Sequence, residues 1–287
     1  MNAGLLKACV AEVLGTFILV FFGCGSVHSA VLLGGLVGLW QVGIVWGLAI
    51  MLAVYAVGAV SGAHLNPAVT IALAVRGRFD FSRVLPYIAA QFVGAFAAAA
   101  VLFGLFSGFI AAREAEKATT RGSAGSIVTA MCYGEYFPNP GGISTAPGHF
   151  VPADWEELSR LVSHPTAFCA EVLGTALLVL VIFATTDARN RGAPADRFAP
   201  VFIGLTVTAL ICVLAPLTQA CFNPARDLGP RVFAYLAGWG SAALPGPNGI
   251  GFFTVYIVAP IVGAILGATV YDVVLADKSH GPSDDVG

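Results

Sequence analysis

The sequence predicts an all-α membrane protein in which six transmembrane helices and two re-entrant half-helices form an inverted repeat. Three observations carry this. Of the 287 residues, 57% are hydrophobic and 10% charged, far from the composition of soluble domains. The apolar residues fall in six runs of about 20, the length that crosses a hydrocarbon core of about 30 Å. The chain is also duplicated. Ala11-Glu12-Val13-Leu14-Gly15-Thr16 recurs letter for letter as Ala170-Glu171-Val172-Leu173-Gly174-Thr175, and Val93-Gly94-Ala95 recurs as Val262-Gly263-Ala264. Gly47-Leu48 and Gly204-Leu205 each stand nineteen residues ahead of an Asn-Pro-Ala triplet. Helix-breaking triplets at matching places in two repeats point to a channel or transporter with its site between the repeats.

The first span, roughly 8–30, resembles a secretory signal, but the small residues from Gly23 to Ser29 lead into more membrane sequence. The same span recurs as the fourth, so it reads as a retained helix. The second span, 40–60, follows a short loop around Leu32 to Trp40 that has no basic residue. Lys7, Arg76, Arg78, Arg83, Arg189, Arg191, Arg197 and Lys278 all fall on the other side of a six-span chain. Arg113, Lys117, Arg121 and Arg160 lie in a long, acid-balanced connection that weighs little in orientation. Both termini are therefore expected in the cytoplasm. Pro67 to Arg76 is too short to cross, roughly 15 Å as a helix, and Arg76-Gly77-Arg78 should end it in water.

The third span, 85–110, leads into a connection, 111–164, that contains Pro138-Asn139-Pro140-Gly141-Gly142, Ala146-Pro147-Gly148 and the acidic stretch Asp154 to Glu157. It reads as an ordered extracellular loop around a pore mouth, with a mobile linker as the alternative. Spans 165–186, 198–216 and 252–275 repeat the pattern. Three spans per repeat is an odd number, so the second copy enters from the opposite side. Its half-helix, Pro224 to about Leu236, faces the first across the bilayer, with Gly229-Pro230 placed to bend it. Irregular backbone at that depth is tolerated only where it lines a wet cavity. One channel domain, 1–277, thus contains repeats of about 8–110 and 165–275, and 278–287 form a polar cytoplasmic tail, expected to be disordered.

The net charge of −2 and the lack of a basic run give no sign of nucleic-acid binding. The six cysteines have no metal-ligand spacing and read as packing residues. No metal, cofactor or catalytic group is expected, and no enzyme. Proline at the first helical position gives up no needed donor, and asparagine is a favoured N-cap. With Asn66 and Asn223 capping through oxygen, their amide donors are free for the lumen. A single triplet is as well explained by an ordinary capped helix; a matched pair is not.

Ser61-Gly62-Ala63-His64-Leu65-Asn66-Pro67-Ala68-Val69-Thr70, Asn223-Pro224-Ala225-Arg226-Asp227 and the repeated Ala-Glu-Val-Leu-Gly-Thr resemble the aquaporin and aquaglyceroporin (major intrinsic protein) family over nearly the whole chain, in its glycerol facilitator branch. The resemblance implies an aquaporin-like fold, a pore in each subunit and a homotetramer in a plasma or inner membrane. Arg226 stands in the first turn of a half-helix, where the dipole disfavours a cation. It reads either as an arginine reaching a carbonyl or headgroup, or as a donor at a pore constriction that repels cations. The resemblance implies the second. Asp227 suits the dipole and is placed to offset the Arg226 charge, and by resemblance it marks the glycerol branch.

The resemblance carries three further positions to the constriction. Trp46 matches an aromatic wall, although an interfacial tryptophan is an equal reading in isolation. Ile211 replaces a usual glycine and Ala220 a usual aromatic, so the pore shape departs from the typical glycerol filter. This set of four resembles a plant subfamily whose members include metalloid-acid channels. Strictly water-selective filters usually place histidine at the Ile211 position. Glu12 and Glu171, about one turn inside their spans, either snorkel to the interface or, by resemblance, accept backbone donors from a re-entrant loop. His64 sits, by resemblance, near the cytoplasmic approach to the first triplet, with a buried packing role as the alternative. The expected function is a passive channel for small uncharged polyols, glycerol above all, together with water and, as a further candidate, urea. A metalloid-acid or water channel is the alternative. A coupled transporter is disfavoured because the spans place no titratable site at the midplane.

Overall fold

A computed structural model describes residues 3–141 and 159–276. Eight helices position the site: α1 Ala3–His28, α2 Leu39–Ser61, α3 Pro67–Val75, α4 Val84–Glu116, α5 His164–Thr186, α6 Ala199–Thr218, α7 Pro224–Ala234 and α8 Gly251–Leu275. Among the described residues, six helical runs are long and apolar enough to cross a membrane, namely all but α3 and α7. Their bounds follow the sequence closely, with two extensions. Helix α1 begins at Ala3, which puts Glu12 more than two turns inside it, not one. Helix α4 runs on to Glu116 into the expected connection, where Arg113 and Glu116 pair at 2.9 Å one turn apart.

The repeated glycines are helix crossings. A Cβ at Gly94 of α4 would overlap the Val13 carbonyl of α1, and one at Gly263 of α8 would overlap the Val172 carbonyl of α5. Where α2 crosses α6 between the repeats, a Cβ on Gly47 would stand 2.6 Å from the Gly204 carbonyl oxygen. Thr208 Oγ1 donates to the Gly43 carbonyl at 2.9 Å across the same crossing. Among apolar helices, hydrophobic burial does not discriminate one face from another, so close backbone approach and such bonds set the pairing.

Half-helix α3 ends in a polar clasp on the face that carries the termini. Arg76 Nε meets Asp272 at 2.8 Å, and Arg78 Nη2 meets Asp272 at 2.6 Å and Asp187 at 3.1 Å. The clasp ties the first repeat to the ends of α5 and α8. Hydrogen bonding to Arg189 holds the Asp187 carboxyl well below the usual carboxylate range.

Half-helix α7 departs from expectation. It continues through Gly229-Pro230 to Ala234, and the chain breaks only at Gly238, with φ at 104°. Gly229 serves packing: a Cβ there would lie 2.7 Å from the Ala95 Cβ of α4. In the connection after α4, residues 126–140 are buried throughout. The Ala146-Pro147-Gly148 and Asp154–Glu157 parts of the expected loop, and the 278–287 tail, lie outside the described residues.

Candidate functional site

Both triplets are delivered by the same backbone device. Ala63 and Leu65 have φ of 50° and 53°, and Ala220 and Phe222 have φ of 63° and 53°. In each loop the residues three and one before the asparagine are left-handed, a conformation costly for non-glycine residues. A buried carboxylate holds each loop in place. Glu12 accepts from the His64 and Leu65 amides at 2.9 and 2.8 Å, from Ser61 Oγ at 2.7 Å and from Gln91 Nε2 at 2.7 Å. Glu171 accepts from the Cys221 and Phe222 amides at 3.0 and 2.8 Å and from Thr218 Oγ1 at 2.6 Å. Both carboxylates have no exposure, so neither snorkels. Ser61 and Thr218 each stand five residues before their asparagine, a correspondence legible in the repeat.

Asn66 Oδ1 accepts from the Ala68 amide at 2.8 Å, and Asn223 Oδ1 accepts from the Ala225 amide at 3.0 Å. Each caps a helix whose first residue is proline, Pro67 or Pro224. Their amide nitrogens are less free than expected. Asn66 Nδ2 donates to the Phe222 carbonyl and Asn223 Nδ2 to the Leu65 carbonyl, both at 2.8 Å. One N–H of each is spent joining the loops, which leaves one per asparagine for a solute.

Two cavities meet in this region. The first, about 330 Å³, is lined by both asparagines, His64, Ala220 and Cys221. The second, about 400 Å³, is lined by Glu135, Gln219 and Arg113 and lies towards the α4–α5 connection. Trp46, Ile211 and Arg226 line both and so form their junction; Ala220 faces the first alone. Arg226 Cζ sits 4.6 Å from the centre of the Trp46 ring. The junction therefore has an aromatic face, an aliphatic wall and a guanidinium edge, a combination that fits a small molecule with carbon on one side and hydroxyls on the other.

The partner of Arg226 is not Asp227. Arg226 Nη1 donates to the Tyr133 carbonyl at 2.9 Å, and its Nη2 is in contact with Glu135 Oε1. Asp227 instead pairs with Arg231, Nε at 2.9 Å and Nη2 at 2.8 Å, because one helical turn brings their side chains together. Sequence reasoning missed Glu135. Its signal was its isolation: histidine aside, it is the sole charged residue between Arg121 and Asp154. Burial pushes its carboxyl above the usual carboxylate range, while the Arg226 guanidinium pulls it down. His64 lines the first cavity, 3.2 Å from Thr70 Oγ1, with its ring against Phe79 and Tyr87.

Comparison with known proteins places this geometry. The model of the family described as major intrinsic protein matches residues 1–271. The glycerol uptake facilitator protein of Escherichia coli K12 is 41% identical over 263 residues, 92% of this chain and 86% of that protein. A propanediol uptake facilitator of Salmonella typhimurium is 41% identical over 271 residues, 94% of each chain. Among solved structures, the aquaglyceroporin from Plasmodium falciparum superposes with a TM-score of 0.76 at 26% identity, covering 94% of this chain and 96% of that one.

Proposed function

The chain belongs to the major intrinsic protein family, and from that premise we propose that it is a passive transmembrane channel for small uncharged polyols, glycerol first, with water and urea also passing. The observation that carries this reading is the junction of the two cavities, where Trp46 presents an apolar face and Arg226 hydrogen-bond donors to the same small space. Trp46 contacts the carbon backbone of the solute and Arg226 its hydroxyls. Asn66 and Asn223 each offer their remaining N–H further along. Glu12 and Glu171 hold the loops that present these donors. The N-terminal ends of α3 and α7, with Arg226, oppose cations and protons. No catalytic, metal or cofactor role is proposed for any residue.

The setting is a plasma or inner membrane with both termini in the cytoplasm, and the assembly is a homotetramer with a pore in each subunit. A second reading, a channel for undissociated metalloid acids, is favoured by one observation: Ile211 narrows the junction while Ala220 leaves its wall open on the inner side. Reswelling of proteoliposomes in glycerol, urea, arsenite and water separates the two. The polyol reading expects glycerol to exceed arsenite; the reverse order would favour the second.

In the same assay, Ala220→Phe adds bulk to the cavity that Ala220 shares with Ile211 and should depress glycerol flux by about tenfold or more, a rise in barrier of roughly 1.4 kcal/mol. Adding Ile211→Gly should restore most of it, the non-additivity of two residues that share one cavity. Unchanged flux in Ala220→Phe, or no rescue, would show that the two positions do not jointly set the width.

A further inference from the structure

We propose that Glu135 is a specificity-determining residue of the constriction: its buried carboxylate offsets the charge of Arg226, so that the passage refuses small anions as well as the cations that the N-terminal ends of α3 and α7 oppose. The inference rests on the channel reading above. The N-terminal ends of α3 and α7 carry partial positive charge to the midplane, and Arg226 adds a full charge at the junction. Both favour anions, and in a low-dielectric passage such an attraction is only weakly screened. A constriction built from these parts alone would attract a nitrate or formate ion, against the desolvation cost that any ion meets on entering.

Glu135 opposes this at the site itself. Its Oε1 is in contact with Arg226 Nη2, and the two side chains are 1% and 4% exposed. Its Oε2 is buried without a hydrogen-bond partner among the described residues, so its negative potential is not spent on another donor. The residue is fixed from both sides of its backbone. Its amide donates to Asp227 Oδ1 at 2.7 Å, and its carbonyl accepts from Arg231 Nη2. Asp227 and Arg231 neutralise each other. Arg113, the other cation on the second cavity, is paired with Glu116. The groups facing the Glu135 carboxylate are Arg226, Asp227 and Arg231 of α7, Cys221 of the loop before it, Glu171 of α5, Cys24 of α1, Tyr256 of α8 and Tyr136 of its own loop. Arg226 is the one of these in ionic contact with it, so removing the Glu135 charge leaves an uncompensated guanidinium at the junction.

The test is glycerol-driven reswelling of proteoliposomes in sodium nitrate against sodium gluconate at equal ionic strength. Buffer is alkaline, so that the carboxyl raised by burial is ionised. Wild-type flux should be the same in both salts. Glu135→Gln, which keeps the shape and removes the charge, should be slowed by nitrate by about threefold or more. Inhibition of the wild type in alkaline buffer, or an insensitive folded Glu135→Gln variant, would overturn the proposal. If that variant does not fold, Glu135→Ser, smaller and equally uncharged, takes its place, with nitrate inhibition expected and insensitivity overturning the proposal in the same way. Wild-type liposomes no faster than empty ones would instead defeat the channel reading on which this rests.

Discussion

Gly263→Val should abolish folded protein in the membrane, and Gly94→Val should do the same in the other repeat. At both positions the first atom of a side chain would overlap a backbone carbonyl of the facing helix, Val172 for Gly263 and Val13 for Gly94. The Gly263 Cβ would also stand 3.0 Å from the Cβ of Thr175, which is fully buried. A flexible side chain could turn aside; a helical carbonyl cannot. Helix α8 would have to withdraw along its length from α5, undoing contacts that support the second loop. Overpacking ordinarily costs roughly 1–3 kcal/mol, and a backbone collision belongs at or above the top of that range. Gly108→Val is the control, since a Cβ there meets nothing within 4 Å. Monodisperse yield in detergent decides the matter: loss for Gly263→Val beside normal yield for Gly108→Val is expected. Normal yield for both would show that the crossing has slack.

Glu171→Ala has the second largest expected effect. It strands three buried donors, the Cys221 and Phe222 amides and Thr218 Oγ1. Each unsatisfied donor costs about 1–3 kcal/mol. The same bonds hold Ala220 and Phe222 in left-handed backbone, so the loop should relax towards ordinary φ once they go. The expected result is a fall in thermal midpoint of several degrees at least, in line with roughly 3 kcal/mol or more, and lower glycerol flux per folded channel. Glu171→Gln keeps one acceptor oxygen and should fall between. A wild-type midpoint in Glu171→Ala would mean that the loop is held by something else.

The fold was largely legible because duplication supplied its own control. Gly94 and Gly263 are matched by the sequence repeat, and both are helix crossings in the structure. The half-helices were legible from length alone, since Pro67–Val75 is too short to span. The bend assigned to Gly229-Pro230 was a local reading, and tertiary packing against Ala95 of α4 overrides it. The site was legible where its residues fall inside the repeat. Glu12 and Glu171 were named as a pair, and the structure gives them matching donors. Glu135 lies in the connection between repeats, where no second copy exists to flag it. Its pairing with Arg226 spans 91 residues of sequence, and no local pattern encodes such a contact. Asp227 takes Arg231 and not the adjacent Arg226 as its ion-pair partner for a related reason: adjacency in sequence points helical side chains apart, while Arg231 stands one turn on.

The central claim is that solute passes down its own gradient with nothing coupled to it. The most direct test is glycerol uptake into proteoliposomes with and without an imposed proton or sodium gradient. Identical initial rates and a final internal concentration equal to the external one are predicted. Accumulation of glycerol above the external concentration, driven by either ion, would contradict the account.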